Sequence, residues 1–307
     1  MQAVFNWIYL FHMPAFVFVS GFFAKRYVIS ERKEYKLAGY LAAYLVYMLY
    51  IWLILFIFTR SIPVKDLLKT HRAPWFMMAL FIWHLLIPFV SRLKPVISIP
   101  LAFALALYSG TFKECGTFLT LSRVFSMFPF FLVGYYYQPK KLEKRHTGLK
   151  IAAGLILLVC GLILYFHGRE LDRFLKVMYG SKSYQALHLS MSEGVLFRSA
   201  WFCAAFLMTA ALLYVVPDRR CRFTYIGERT LGVYLLHRLP RDLIKNLGLS
   251  RLIGGSSRAL LFYVILSAAI ILICSVKPAD DACRRMFHLD CIMKRTPPAP
   301  EPAEPGK

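Results

Sequence analysis

Long apolar windows with almost no charge decide what this chain can fold into. Stretches at 4–24, 37–59, 74–91, 121–138, 149–167, 195–216 and 257–276 each run close to 20 residues with few Asp, Glu, Lys or Arg. An apolar helix of that length crosses about 30 Å of hydrocarbon. Two weaker windows, 95–110 and 228–247, bring the count to nine; the second is interrupted by His237, Arg238 and Pro240. All are read as helices, because lipid offers no partner to open backbone groups. The expected fold class is therefore all-α, a polytopic membrane helix bundle of about nine spans over 1–276. Residues 277–307 are read as a cytoplasmic tail, whose end "TPPAPEPAEPGK" is proline-rich and expected to be disordered.

The net charge of +22 does not point to nucleic acid. Lys and Arg sit in the gaps between windows, where they anchor loops against anionic lipid and set orientation. No basic run is interleaved with aromatics in a polar segment, so a nucleic-acid partner is excluded and the bilayer is the expected surface. One set of loops plus the tail holds 22 basic residues and the other set 16. The richer set includes "KRYVISERKEYK" (25–36) and "PKKLEKRH" (139–146), and it is expected inside, with the C-terminus. The seven cysteines are odd in number and contain no Cys-x-x-Cys, which speaks for reduced thiols with neither a disulfide framework nor a metal site. Nothing basic and no signal peptide precedes the first window. That start leads to the expectation of a further helix upstream.

Polar residues inside the windows are the candidates for function. In "YLFHMPAFVFVSGFF" (9–23), a helical turn of 100° per residue puts Tyr9 at about 60°, Ser20 at about 80° and Asn6 at about 120° from His12. Such a stripe is expected to face other helices or a wet cavity, since polar groups in lipid are costly. Pro14 removes a backbone donor and frees the Leu10 carbonyl, so a kink is expected beside His12. The stretch "GERTLGVYLLH" (227–237) repeats the device with Thr230, Tyr234 and His237 on one side. Trp75 and Arg123 open the third and fifth windows at the same expected level. Each has a structural alternative. His12 and His237 serve equally well as packed interhelical histidines; His84, on the side of its helix away from Trp75, is read as structural; Trp75 taken alone reads as an interfacial belt residue and Arg123 taken alone as a snorkelling cation.

Four of these segments, taken in order, resemble a known family. "FHMPAFVFVSGFF", "PWFMMALFIWHLLIP" (74–88), "LSRVFSMFPFFLVGYYY" (121–137) and "IGERTLGVYLLH" (226–237) are similar to the signature spans of integral-membrane acyltransferase family 3, in its fucose 4-O-acetylase-like branch. The family typically has ten spans with both ends cytoplasmic, and its leading helix, with an Arg and a His, has no counterpart in these residues. The resemblance thus leaves open a start that lacks one helix, or a degenerate member. It implies an O-acyltransferase of a bacterial plasma membrane that moves an acetyl group from acyl-CoA to a hydroxyl of a cell-surface carbohydrate, with no bound cofactor.

Under that chemistry His12 and His237 are expected to handle the proton, with Arg123 beside them as an oxyanion or acceptor group. Trp75, Tyr234, Asn6 and Ser20 are expected to contact substrate. Lys25, Arg26, Arg32 and Lys33 are candidates for the phosphates of coenzyme A, with a plain inside anchor as the alternative. A transporter or flippase of a small polar or glycan substrate is the rival reading, since polar stripes and proline kinks suit a substrate pathway. The absence of Asp and Glu from the middle of every window speaks against proton-coupled transport.

Overall fold

The structure is a computed structural model that describes residues 2–28, 33–59, 75–112, 121–138, 147–168, 170–216, 224–237, 240, 244 and 257–286. The described residues contain helices and no strand. In chain order they are α1 (Gln2–Val28), α2 (Lys33–Thr59), α3 (Trp75–Val90), α4 (Pro95–Tyr108), α5 (Leu121–Tyr136), α6 (Thr147–His167), α7 (Asp172–Met178), α8 (Met191–Val215), α9 (Thr224–Glu228), α10 (Thr230–Leu236), α11 (Ser257–Cys274) and α12 (Lys277–Met286). The fold is an all-α membrane helix bundle. Among the described residues α1, α6 and α8 are long and apolar enough to cross a membrane, and α3, α4 and parts of α2 and α11 form shorter apolar helices. The chain divides into two compact units, Met1–Ser30 with Tyr47–Cys221 and Glu31–Val46 with Arg222–Lys307, so the division falls within α2.

The first unit is organised on the crossing of α1 with α5. Gly21 and Gly134 face each other's backbone: a methyl group on Gly21 would overlap the Phe131 carbonyl, and one on Gly134 would overlap the Phe18 carbonyl. Small residues at both positions bring two helices into backbone contact, the packing that lipid favours because apolar side chains gain little by leaving it. α3 is fastened to α5 by Trp83, whose Nε1–H donates to the Val124 carbonyl at 3.1 Å. His84 is buried beside it, with its Nδ1–H on the Leu80 carbonyl at 2.7 Å and its ring edge-on to Phe131. The turn between α3 and α4 is pinned by the Tyr136 hydroxyl, which donates to the Val90 carbonyl at 3.2 Å and accepts from Ser98 Oγ at 3.3 Å. α1 continues through Pro14 without interruption, and Pro14 is buried.

The segment between α6 and α8 is more than a connector. It holds α7, a 3-10 turn at Gln185–Leu187 and a small apolar cluster of Val177, Tyr184 and Leu189, with Leu187, Val195 and Phe197 packed against it. Tyr184 is its anchor. The ring lies between Gly110 and Gly194, where a methyl on either would overlap it. Its backbone N–H donates to the Gly110 carbonyl and its hydroxyl to the Leu107 carbonyl, both at 2.8 Å. Burial raises the pKa of this phenol, against the opposing charge of Arg198. α8 starts at Met191 rather than at 195, because Ser190 and Glu193 form a reciprocal capping box that satisfies the first turn.

In the second unit α10 packs on α12 and α11. Arg229 Nη1 donates to the Ser275 carbonyl at 2.9 Å and its guanidinium lies over the Tyr225 ring. Gly232 lets α10 approach Asp280 of α12, where a Cβ would meet Oδ1 at 3.0 Å. Residues 277–286, which the sequence leaves as tail, are thus a helix carrying part of the packing.

Candidate active site

The start of α5 is where polar and aromatic side chains from several elements meet. The Arg123 guanidinium lies 5.7 Å from the centre of the Trp75 ring, at the start of α3. Trp75 is buried, and stands edge-on to Phe76. Tyr9 of α1 is close enough to Arg123 to feel its charge, and its ring centre lies 4.6 Å from that of Tyr179. Tyr179 follows α7. The next residue, Gly180, has a φ of 59°, a left-handed conformation that glycine reaches without a Cβ penalty. A side chain there would also overlap Ser126 Oγ and come within 3.9 Å of the Arg123 Cα. Gly180 therefore turns the loop onto α5 and lays Tyr179 against Tyr9.

A cation over an aromatic face is attracted by the negative face of the ring. Arg123 Nε is buried and has no hydrogen-bond partner among the described residues. A guanidinium presents five N–H groups in a fixed fork, suited to a carboxylate, a phosphate or a developing oxyanion. Trp75 beside it, with Tyr9 nearby and Tyr179 behind Tyr9, gives flat faces of the kind that stack on sugar rings. Burial raises the Tyr179 pKa, and the neighbouring Tyr9 and Asp172 add to the shift, so the phenol remains a neutral O–H donor at physiological pH.

Trp75 and Arg123 are thus brought together, in the first unit, as their shared level in the sequence implies. The polar stripe of α1 does not act as one surface. Asn6 is buried and accepts from Gln2 Nε2 at 3.1 Å; Tyr9 is half-buried against Tyr179. Ser20 Oγ donates to the Phe16 carbonyl of its own helix at 2.8 Å, the local bond that a helical serine makes most readily. His12 stands on the exposed side of α1, edge-on to Phe16 with 4.9 Å between ring centres. The stripe divides because the packed face of α1 is set by Leu10, Pro14, Val17, Gly21 and Ala24, centred nearly opposite His12.

His237 and Tyr234 belong to the second unit. His237 closes α10 with its Nδ1–H on the Val233 carbonyl at 2.9 Å, and the Tyr234 ring centre is 6.3 Å from its own. Lys25 Nζ donates to the Tyr137 carbonyl at 3.2 Å, beside the C-terminal end of α5, a favourable place for a cation. The side chains of Arg26 and Lys33 lie outside the described set, as does Arg32 altogether. No three His, Cys, Asp or Glu side chains come together among the described residues.

The candidates missed by sequence reasoning are Tyr179 and Arg198. The first had a readable signal, a glycine directly after a short amphipathic stretch in "FLKVMYGSKSY" (174–184). Arg198 is fully buried in α8, and its position four residues inside the expected window start hid it among apparent headgroup anchors.

A family model described as an acyltransferase domain matches residues 2–277. The chain belongs to this acyltransferase family. The match spans both units and every helix that contributes to the sites above, ending at the first residue of α12. No curated protein and no solved structure matches the chain. The family and the apolar helices together make it a membrane acyltransferase.

Proposed function

We propose that the protein transfers an acyl group, acetyl in the simplest case, from acyl-CoA to a hydroxyl of a cell-surface carbohydrate. The Arg123 cluster is the observation that carries this reading: a guanidinium with a buried unpartnered Nε, flanked by Trp75 and Tyr9, with Tyr179 behind Tyr9. In the transfer, the acceptor hydroxyl attacks the thioester carbonyl as its proton passes to a base. The carbonyl oxygen becomes negative, and collapse of the tetrahedral intermediate expels the thiolate, which takes up a proton as free CoA. Arg123 supplies N–H donors to that oxygen or to the acceptor, and the aromatic faces seat the sugar. His12 and His237 are assigned the proton-handling roles, since an imidazole has one nitrogen that accepts a proton and one that donates it. Tyr234, Asn6 and Ser20 are assigned to substrate contact, and Lys25, Arg26, Arg32 and Lys33 to the phosphates of the donor. The fucose 4-O-acetylase-like branch, the cell membrane and a cytoplasmic C-terminus belong to the same proposal.

The test uses the full chain purified into nanodiscs, with acetyl-CoA as donor and a panel of methyl glycosides as acceptors, read as acceptor-dependent CoA release. Arg123→Gln is expected to lower kcat about a hundredfold, the usual cost of one lost oxyanion donor, without altering thermal unfolding. Wild-type release that no glycoside stimulates, or full activity in Arg123→Gln, overturns the assignment.

A further inference from the structure

Arg198 is fully buried in α8, where it holds the end of α4 and the ring of Tyr184. Gly194 precedes it by one helical turn, on the same face. The Tyr184 ring fills the space that this glycine leaves, since a methyl there would overlap it. Side chains on a helix tilt toward its N-terminus, so Arg198 reaches back over that space. Its guanidinium comes to 4.8 Å from the ring centre. The spacing Gly194-x-x-x-Arg198 thus forms a seat for one aromatic ring.

A buried guanidinium needs acceptors. α4 supplies them at its C-terminal end, where the last carbonyls lack helical partners and the dipole is negative. Arg198 Nη1 donates to the Ala106 carbonyl at 2.8 Å and to Ser109 Oγ at 3.3 Å. The Tyr184 hydroxyl donates to the neighbouring Leu107 carbonyl at 2.8 Å, and its backbone N–H donates to the Gly110 carbonyl at the same distance. Arg198 and Tyr184 therefore close the same helix end side by side. The cation faces both the ring and the negative end of the dipole.

Tyr184 follows Tyr179 by five residues, which reach at most about 18 Å when extended. The seat of Tyr184 thus limits where Tyr179 can stand. Between them, Gly180 turns the chain onto Ser126 of α5, and its N–H donates to the Val177 carbonyl at 3.1 Å. We propose that Arg198 is a positioning residue for the Arg123 cluster. It seats Tyr184 on α4, and Tyr184 holds the segment that lays Tyr179 on Tyr9. The kinetic consequence rests on that cluster being the acceptor site, as argued above.

The full chain in nanodiscs is assayed for acetyl transfer from acetyl-CoA to methyl glycosides. Amide hydrogen exchange of the same samples is followed by mass spectrometry without substrate. Arg198→Met removes the charge and its hydrogen bonds while keeping an unbranched side chain. It is expected to raise the acceptor KM about tenfold, with kcat and the acetyl-CoA KM within about twofold, as loss of a desolvated cation–ring contact would. Exchange over 179–184 should quicken about tenfold while α1 and α5 keep their protection. Arg198→Lys leaves a cation over the ring and should fall between Arg198→Met and the wild type. Added to Tyr179→Ala, Arg198→Met should raise the acceptor KM no further, because the group it positions is gone; a role in general stability would add in full. Leu207→Ala, on the exposed side of α8, is the control expected to change neither readout. Should Arg198→Met not fold, Tyr184→Leu is held to the same expectations. Exchange that quickens equally in α1 and α5, or an effect that adds in full to Tyr179→Ala, overturns the positioning role. If the wild type transfers no acetyl group, the acceptor reading fails, and exchange over 179–184 alone decides whether Arg198 seats the segment. If transfer occurs and Arg198→Met changes neither the acceptor KM nor that exchange, the positioning role alone fails.

Discussion

At the level of single residues, the site is built by contacts that only long-range packing could create. Trp75 and Arg123 carry their chemistry in their side-chain types, and that much is readable from a helix that begins with Trp75 and another that opens Leu121-Ser122-Arg123. That a guanidinium rests over the indole depends on how α3 and α5 cross. Tyr179→Ala is expected to raise the acceptor KM about tenfold with kcat little changed, while Tyr179→Phe retains the ring and most of the affinity; an acceptor titration of the two variants checks this. Trp75→Ala removes both a stacking face and the partner of Arg123, so its loss in kcat/KM should exceed that of Trp75→Phe. The stripe of α1 shows why periodicity alone falls short. It correctly grouped Asn6, Tyr9, His12 and Ser20 within one arc, but the buried arc is chosen by where Gly21 meets α5. A 100° count finds which residues share a side and is silent on which side another helix will cover.

At the level of helices, existence was legible and ends were less so. The apolar windows correspond to α1 through α6, α8 and α11, because hydrophobic length is a strong signal in lipid. α8 starts four residues before the apolar window at 195–216, because hydrophobic length alone does not register the polar Ser190-x-x-Glu193 helix start. Ser190→Ala should cost about 1 kcal/mol by loss of that cap. Calorimetric unfolding in detergent measures it, and unchanged unfolding would show that the loop cluster alone fixes the helix start. Gly134→Ala places a methyl against the Phe18 carbonyl and is expected to destabilise by about 1–3 kcal/mol, the cost of overpacking. Gly148→Ala, with open space around its Cβ position, is the matched control expected to be neutral. Equal unfolding temperatures for the two variants would contradict the backbone contact of α1 with α5.

At the level of the whole molecule, membrane residence and family follow from different signals that agree. Apolar length indicates lipid, and the four motif segments in order led to the family that the match over residues 2–277 shows. The place of Arg198 was not legible in advance, because a lone Arg near a window start has the same appearance whether it snorkels or is buried beneath Tyr184. Its buried position emerges only from the folded chain. Acyl transfer at the Arg123 cluster is the central claim. Its most direct test is to supply acetyl-CoA labelled in the acetyl group to the full chain in nanodiscs with methyl glycosides, and to count label in the carbohydrate. Label is expected to appear in a glycoside with equimolar release of CoA, and transfer to be about a hundredfold slower with Arg123→Gln. Glycosides that stay unlabelled while the protein is folded, or label that accumulates as fast with Arg123→Gln, would contradict it.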